Sequence, residues 1–214
     1  MVSTTPPASP KPARLRSALL AIPLALAGLL GAAPAPAHAA APAPLSCLGQ
    51  GIDPAAQLHY QTEAFIKAPP STVWRLHTDV TRWPAWQSAV TSMKRLDPGP
   101  LRSGSQFRWT TPAPATASTP ATTLVITSTV QQIEPGRCIR WSGPAIGTGL
   151  SIDRGVHVWN FTRVRGGVLV RTEESWTGRQ IDADPATAAQ YLYPGLDAWL
   201  SDLKTAAEAR SGRA

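Results

Sequence analysis

The chain has 214 residues and a formal charge of +7, from 20 basic and 13 acidic side chains. Three of the basic residues and none of the acids fall within residues 1–39, which leaves +4 for the remainder. That charge is mild and scattered, with no Lys/Arg cluster interleaved with aromatics, so a nucleic-acid partner is not expected.

Lys11, Arg14 and Arg16 precede an apolar run from Ala18 to Leu30 that contains Pro23. The run falls short of the ~20 apolar residues a membrane helix needs. A Pro/Ala stretch follows and ends in Ala37-His38-Ala39, which fits the A-x-A cleavage rule. Residues 1–39 therefore read as a secretory signal peptide cleaved after Ala39, and an uncleaved anchor is the alternative. The expected location is extracytoplasmic, with no stable membrane insertion after cleavage. Arg14 and Arg16 are not adjacent, so a twin-arginine signal is not supported.

Residues 40–57 are rich in Pro, Ala and Gly and read as an arm or linker. About 175 residues follow the signal, enough for one domain with a proper core. The domain is expected over residues 58–210. Two cysteines remain, Cys47 and Cys138. An oxidising compartment permits a bridge that ties the arm to the domain body, and two free thiols are the alternative.

Leu58–Ile66 alternates as a strand, with Tyr60, Thr62, Ala64 and Ile66 on one face. Pro69-Pro70 ends it, and Ser71 is placed to cap a short helix carrying Val73, Trp74 and Leu76. Asp79 and Thr81 open a second short helix or turn holding Trp83-Pro84-Ala85-Trp86. Six further strand candidates follow: Ala89–Leu96, Gln106–Thr111, Thr122–Ile133, Cys138–Gly143, Gly155–Val164 and Val168–Thr177. A long helix closes the chain, with Asp184 and Pro185 as N-cap and first residue. Leu192, Leu196, Trp199, Leu200 and Leu203 recur along it at helical spacing, and Pro194-Gly195 implies a kink or break.

Mainly antiparallel strands followed by a terminal helix make an α+β pattern. The economical packing is a helix-grip fold, in which a curved antiparallel sheet of about seven strands wraps around the C-terminal helix. Such a grip leaves room for a ligand between sheet and helix.

Turn chemistry predicts the register. Gly166-Gly167 suits a two-residue type I′ turn and puts Arg165 opposite Val168. Phe161 then faces Thr172, Trp159 faces Glu174, and His157 faces Trp176. His157, Trp159, Phe161, Val168, Val170, Thr172, Glu174 and Trp176 share the more apolar face, which is assigned inward. Around Pro135-Gly136, Glu134 opposite Arg137 puts Val130 opposite Trp141. Leu124, Ile126, Ser128, Val130, Ile139 and Trp141 then face inward, with Phe107 and Trp109 on the same interior. Cys138 and Arg140 face outward.

Several segments resemble the SRPBCC superfamily, the helix-grip proteins of the START and birch-pollen-allergen type, and within it the polyketide cyclase/dehydrase branch. They are Ile66-Lys67-Ala68-Pro69-Pro70 through Val73-Trp74, Asp79 with Trp83-Pro84-Ala85-Trp86, Leu101-Arg102-Ser103-Gly104 through Phe107, Ile139-Arg140-Trp141-Ser142-Gly143, His157-Val158-Trp159-Asn160-Phe161, Thr172 through Gly178, and Gly195-Leu196. The resemblance spans about residues 59–209. It implies the helix-grip fold and transfers no catalytic residue.

Two polar groups, His157 and Glu174, point inward at diagonal positions on neighbouring strands. They serve either as an acid/base pair or as a hydrogen-bonded pair that orders the sheet. Phe107, Trp109, Leu124, Ile126, Val130, Trp141, Trp159, Phe161, Trp176 and Trp199 are the candidate ligand wall or core. Trp83 and Trp86 are expected to pin the short helices. The histidines show no metal-ligand spacing, and there is no phosphate loop or dinucleotide fingerprint, so no metal and no cofactor are expected. No feature specifies an oligomer.

The leading expectation is a secreted protein that binds a small hydrophobic or aromatic ligand as carrier, sequestering protein or sensor. A cyclase or dehydratase using His157 and Glu174 is the alternative. An envelope protein-interaction module, which requires a closed cavity, is the third.

Overall fold

A computed structural model describes residues 43–212. The signal segment and the first residues of the arm lie outside them. The element order is β1 (Leu58–Ile66), α1 (Pro70–Thr78), a 3₁₀ turn (Val80–Ala85), β2 (Ser92–Arg95), β3 (Gln106–Ala113), β4 (Thr122–Glu134), β5 (Cys138–Gly147), β6 (Leu150–Val164), β7 (Gly167–Thr177), α2 (Arg179–Ala183) and α3 (Pro185–Ser211). The seven strands form one antiparallel sheet in the order β1-β7-β6-β5-β4-β3-β2. The first strand thus closes against the last, and α1 and the 3₁₀ turn bridge to the far edge. With α3 on the inner face, this is the helix-grip architecture.

α3 begins as the sequence implies. The Asp184 carboxylate accepts the Thr187 amide at 3.0 Å, and Pro185 occupies a position whose missing N–H costs nothing. The helix is not broken at Pro194-Gly195 but runs continuously to Ser211. At α1 the expected cap is corrected. Pro69 is the N-cap, no side chain caps the helix, and Ser71 lies inside its first turn.

Two turns also differ from expectation. The β6–β7 hairpin turns on Arg165-Gly166, with Val164 opposite Gly167. Gly166 has φ 84°, whereas Arg165 and Gly167 are not in the positive-φ region, so the turn is not type I′. Gly167 is glycine for another reason: a Cβ there would run into the Ile66 carbonyl oxygen of β1. The pairing slips by two residues from the predicted register, which preserves the faces but changes the partners. Phe161 faces Val170, Trp159 faces Thr172, and His157 faces Glu174. At the β4–β5 hairpin, Glu134 pairs with Cys138 rather than Arg137. A bulge between Val130 and Gln132 then restores the Val130–Trp141 pair. Both Ile133 and Ile139 consequently pack into the core.

β2 is shorter than the expected Ala89–Leu96, at Ser92–Arg95, while β5 and β6 extend furthest beyond their sequence patterns. β5 continues past Gly143 to Gly147, and β6 starts at Leu150. Gly143 accommodates a close approach, because a Cβ there would strike the Thr127 carbonyl of β4.

On the outer face an arm lies across β5, β6 and β7. Cys47 and Cys138 form a disulfide with a Cα separation of 5.4 Å. The Leu45 amide donates to Glu173 Oε2 at 2.8 Å, Asn160 Nδ2 donates to the Ser46 carbonyl at 2.8 Å, and Arg140 Nε donates to the Gly51 carbonyl at 2.7 Å. Leu45, Cys47, Cys138, Val158 and Ile52 make a small apolar cluster beneath the arm. Among the described residues, no helix is long and apolar enough to cross a membrane.

Candidate functional site

The concave face of the sheet has a solid end and a hollow end. At the solid end Trp83, Phe107, Val130, Trp159, Phe161, Val168 and Val170 pack against Trp199, Leu200, Leu203 and Ala207 from the C-terminal half of α3. The lining of the hollow end includes small residues, among them Ala145 of β5, Gly155 of β6, and Ala188 and Gly195 of α3. A cavity of about 620 Å³ opens there. The N-terminal half of α3 roofs it, and α2 and the β3–β4 loop (Pro114 to Thr119) also contribute to its lining. That volume falls within the range of small-molecule sites, roughly 300–1,000 Å³.

The cavity separates the candidate residues into two groups. Trp109, Leu124, Ile126, Trp141, Trp176 and Trp199 line it, together with His157 and Glu174. Phe107, Val130, Trp159 and Phe161 belong to the solid core. Trp83 is fully buried among those core rings, and its Nε1 donates to the His77 carbonyl at 2.9 Å. Ile152, Leu192, Leu196 and Gly155 also line the cavity and were not singled out as ligand contacts in the sequence. The helical spacing of Leu192 and Leu196 identified them only as an apolar face.

His157 and Glu174 stand directly opposite one another on β6 and β7, not diagonally. His157 Nδ1 lies 3.5 Å from Glu174 Oε2. The Thr172 hydroxyl is within 3.2 Å of the Val158 carbonyl and within 2.9 Å of His157 Nε2. The imidazole thus links Thr172 on one side to Glu174 on the other, and which ring nitrogen carries the proton follows the protonation state of Glu174. Thr172 is the residue whose role sequence reasoning missed, although its inward orientation was legible.

Burial raises the Glu174 carboxyl to about 7, partly opposed by the Trp176 Nε1–H donated to Oε1 at 2.9 Å. The side chain retains 19% exposure, and because it lines the cavity that exposure is to the cavity space. Burial also lowers His157 well below the ordinary histidine range, with nearby His77 acting in the same direction. Near neutral pH the imidazole is uncharged, and the carboxyl is close to its midpoint. The arrangement can share or pass one proton between Glu174 and a molecule in the cavity.

His77, on α1, is fully buried with its ring centroid 4.4 Å from that of Trp159. Neither ring nitrogen has a hydrogen-bond partner among the described residues, and burial lowers its pKa to about 3. It lies in the solid core and is not a cavity residue. The described residues contain no group of three or more His, Cys, Asp or Glu able to hold a metal.

Fold and site together define a helix-grip protein with a partly enclosed, aromatic-walled cavity. Residues 57–208 match the family described as polyketide cyclase / dehydrase and lipid transport, and the chain belongs to that family, within the SRPBCC superfamily. No curated protein matches the chain. Many solved structures are similar in fold, among them the following three. TTHA0849 from Thermus thermophilus is 17% identical, with 72% of this chain and 99% of that chain covered and a TM-score of 0.56. Ara h 8.0201 is 13% identical over 71% of this chain and 97% of that one, with a TM-score of 0.55. The Zhui aromatase/cyclase from Streptomyces sp. R1128 is 15% identical over 71% and 94%, with a TM-score of 0.55.

Proposed function

We propose that this protein is exported and binds a small hydrophobic or aromatic molecule in the cavity between its sheet and α3. The observation that carries the reading is the cavity itself, about 620 Å³ walled by Trp109, Trp141, Trp176 and Trp199. Folding tends to fill such volume, since apolar voids forfeit packing contacts. Here small residues such as Ala145, Gly155 and Ala188 are part of its lining. A protein-interaction module needs no such space. Export is supported by the signal-like residues 1–39 and by the Cys47–Cys138 disulfide, a bond that persists in oxidising compartments. N-terminal sequencing of the extracellular protein should begin at Ala40.

Binding is tested by titrating a planar aromatic compound while following tryptophan emission. Ala145→Phe, which fills the hollow end, should abolish the response while the protein stays folded. An unchanged response in that variant would move the binding site elsewhere.

The directly opposed His157 and Glu174 favour a second reading, an acid/base enzyme acting on the bound molecule. If His157→Ala and Glu174→Gln leave binding intact but abolish turnover of a bound compound, the carrier reading fails.

A further inference from the structure

The polar floor of the cavity has a specific electrostatic character. Glu174 Oε1 already accepts from Trp176, but Oε2 faces only His157 Nδ1 at 3.5 Å. When ionised, Oε2 therefore has acceptor capacity left for an N–H donor that approaches from the cavity. The remaining groups around Glu174 do not supply a cation. From β1, Tyr60 pairs with Glu174, but its hydroxyl turns to Asp197 of α3 at 3.2 Å. From α3, Asp184 and Tyr191 line the cavity, and β4 and β5 contribute Ser128 and Trp141. Among the described residues, no lysine or arginine lines the cavity. Residues 40–214 carry a formal charge of +4, yet among the described residues the cavity's charged side chains are acids. The Trp141 ring centroid lies 5.0 Å from that of His157 and the Trp199 centroid 5.8 Å, so aromatic rings flank the same spot. A cation is stabilised there both by the carboxylate and by the ring quadrupoles.

We propose that the cavity selects hydrophobic molecules carrying a protonated amine, with the ammonium on the Glu174 carboxylate and the apolar body against the tryptophans. This inference rests on the ligand-binding reading above and names the ligand class for the same site. A carboxylate ligand meets the opposite situation: an acid and, among the described lining residues, no lysine or arginine.

The test compares three compounds on one ring system, 2-naphthylmethylamine, 2-naphthalenemethanol and 2-naphthoic acid, titrated by tryptophan fluorescence and calorimetry. The amine should bind more tightly than the alcohol, and the acid most weakly. Glu174 has its midpoint near 7 while the amine stays charged, so the amine's affinity should rise as the carboxyl ionises. The expected gain is about 30-fold between about pH 5.5 and about pH 8.5, with little change for the alcohol. In Glu174→Gln the amine should lose both its advantage and its pH dependence.

An alcohol that binds as well as the amine above pH 8, or an acid that binds best, overturns the amine inference and leaves the ligand-binding reading standing. If none of the three compounds binds to folded protein, both are overturned.

Discussion

Glu174→Gln changes the charge of the cavity floor while nearly keeping its shape. Burial holds the carboxyl at about 7 in the folded protein, against an ordinary value of 4.5. Each unit of that difference corresponds to about 1.4 kcal/mol. Between the two values the unfolded chain releases this proton while the folded chain keeps it. Unfolding then releases a proton, so stability falls as pH rises, and it levels off above the folded value. Wild-type protein should lose about 3 kcal/mol between about pH 4 and about pH 8 on account of this group alone. The variant has no such proton. Urea denaturation at the two pH values gives the comparison, because contributions from other groups largely cancel between the two proteins. The stability difference should shift by about 3 kcal/mol in favour of the variant as pH rises. A difference that stays constant with pH would refute the claim that Glu174 sits in a desolvated cavity.

Other substitutions probe the solid core and the arm. His77 is buried, without a hydrogen-bond partner among the described residues, and held neutral down to about pH 3. Its folded pKa lies below the ordinary 6.5, so its contribution weakens as pH falls from about 6.5 towards 3. His77→Phe should remove up to roughly 5 kcal/mol of that acid sensitivity, as read by denaturation across the range. The disulfide spans a sequence separation of 91 residues. Replacing Cys47 and Cys138 with serine should cost about 2–5 kcal/mol in denaturation midpoint analysis, and a reductant should reproduce the loss in wild type. Leu203 is fully buried in the solid end, whereas Leu124 borders the cavity. Leu203→Ala should therefore cost about 3 kcal/mol or more and Leu124→Ala less, because the wall at Leu124 already lacks partner atoms on one side.

The sequence disclosed the architecture because the grip fold has strong local signals: alternating strands, a proline-started helix and glycine turns. It also disclosed which residues point inward, since a two-residue slip at the β6–β7 hairpin leaves side-chain faces unchanged. What it obscured came from glycine. Gly167 suggested a turn residue but is required by the close passage of β1, and that moved His157 from a diagonal position to one opposite Glu174. Gly143 and Gly155 suggested strand ends, yet both lie within long strands and mark the hollow end. The division of the tryptophans between core and cavity was equally hidden. Periodicity reports that Trp141 and Trp159 face inward, but only tertiary packing puts one against the cavity and buries the other. The Thr172–His157 contact could not be foreseen, because it depends on the two-residue shift of the β6–β7 pairing and on side-chain conformations that periodicity does not report.

Native mass spectrometry of the protein recovered from its own host addresses the central claim, occupancy of the cavity, most directly. Wild-type protein should carry the excess mass of one small molecule, released on denaturation and absent from Ala145→Phe. Bare protein mass in wild type, together with no tryptophan response to any aromatic compound titrated, would contradict a ligand-binding role for the cavity.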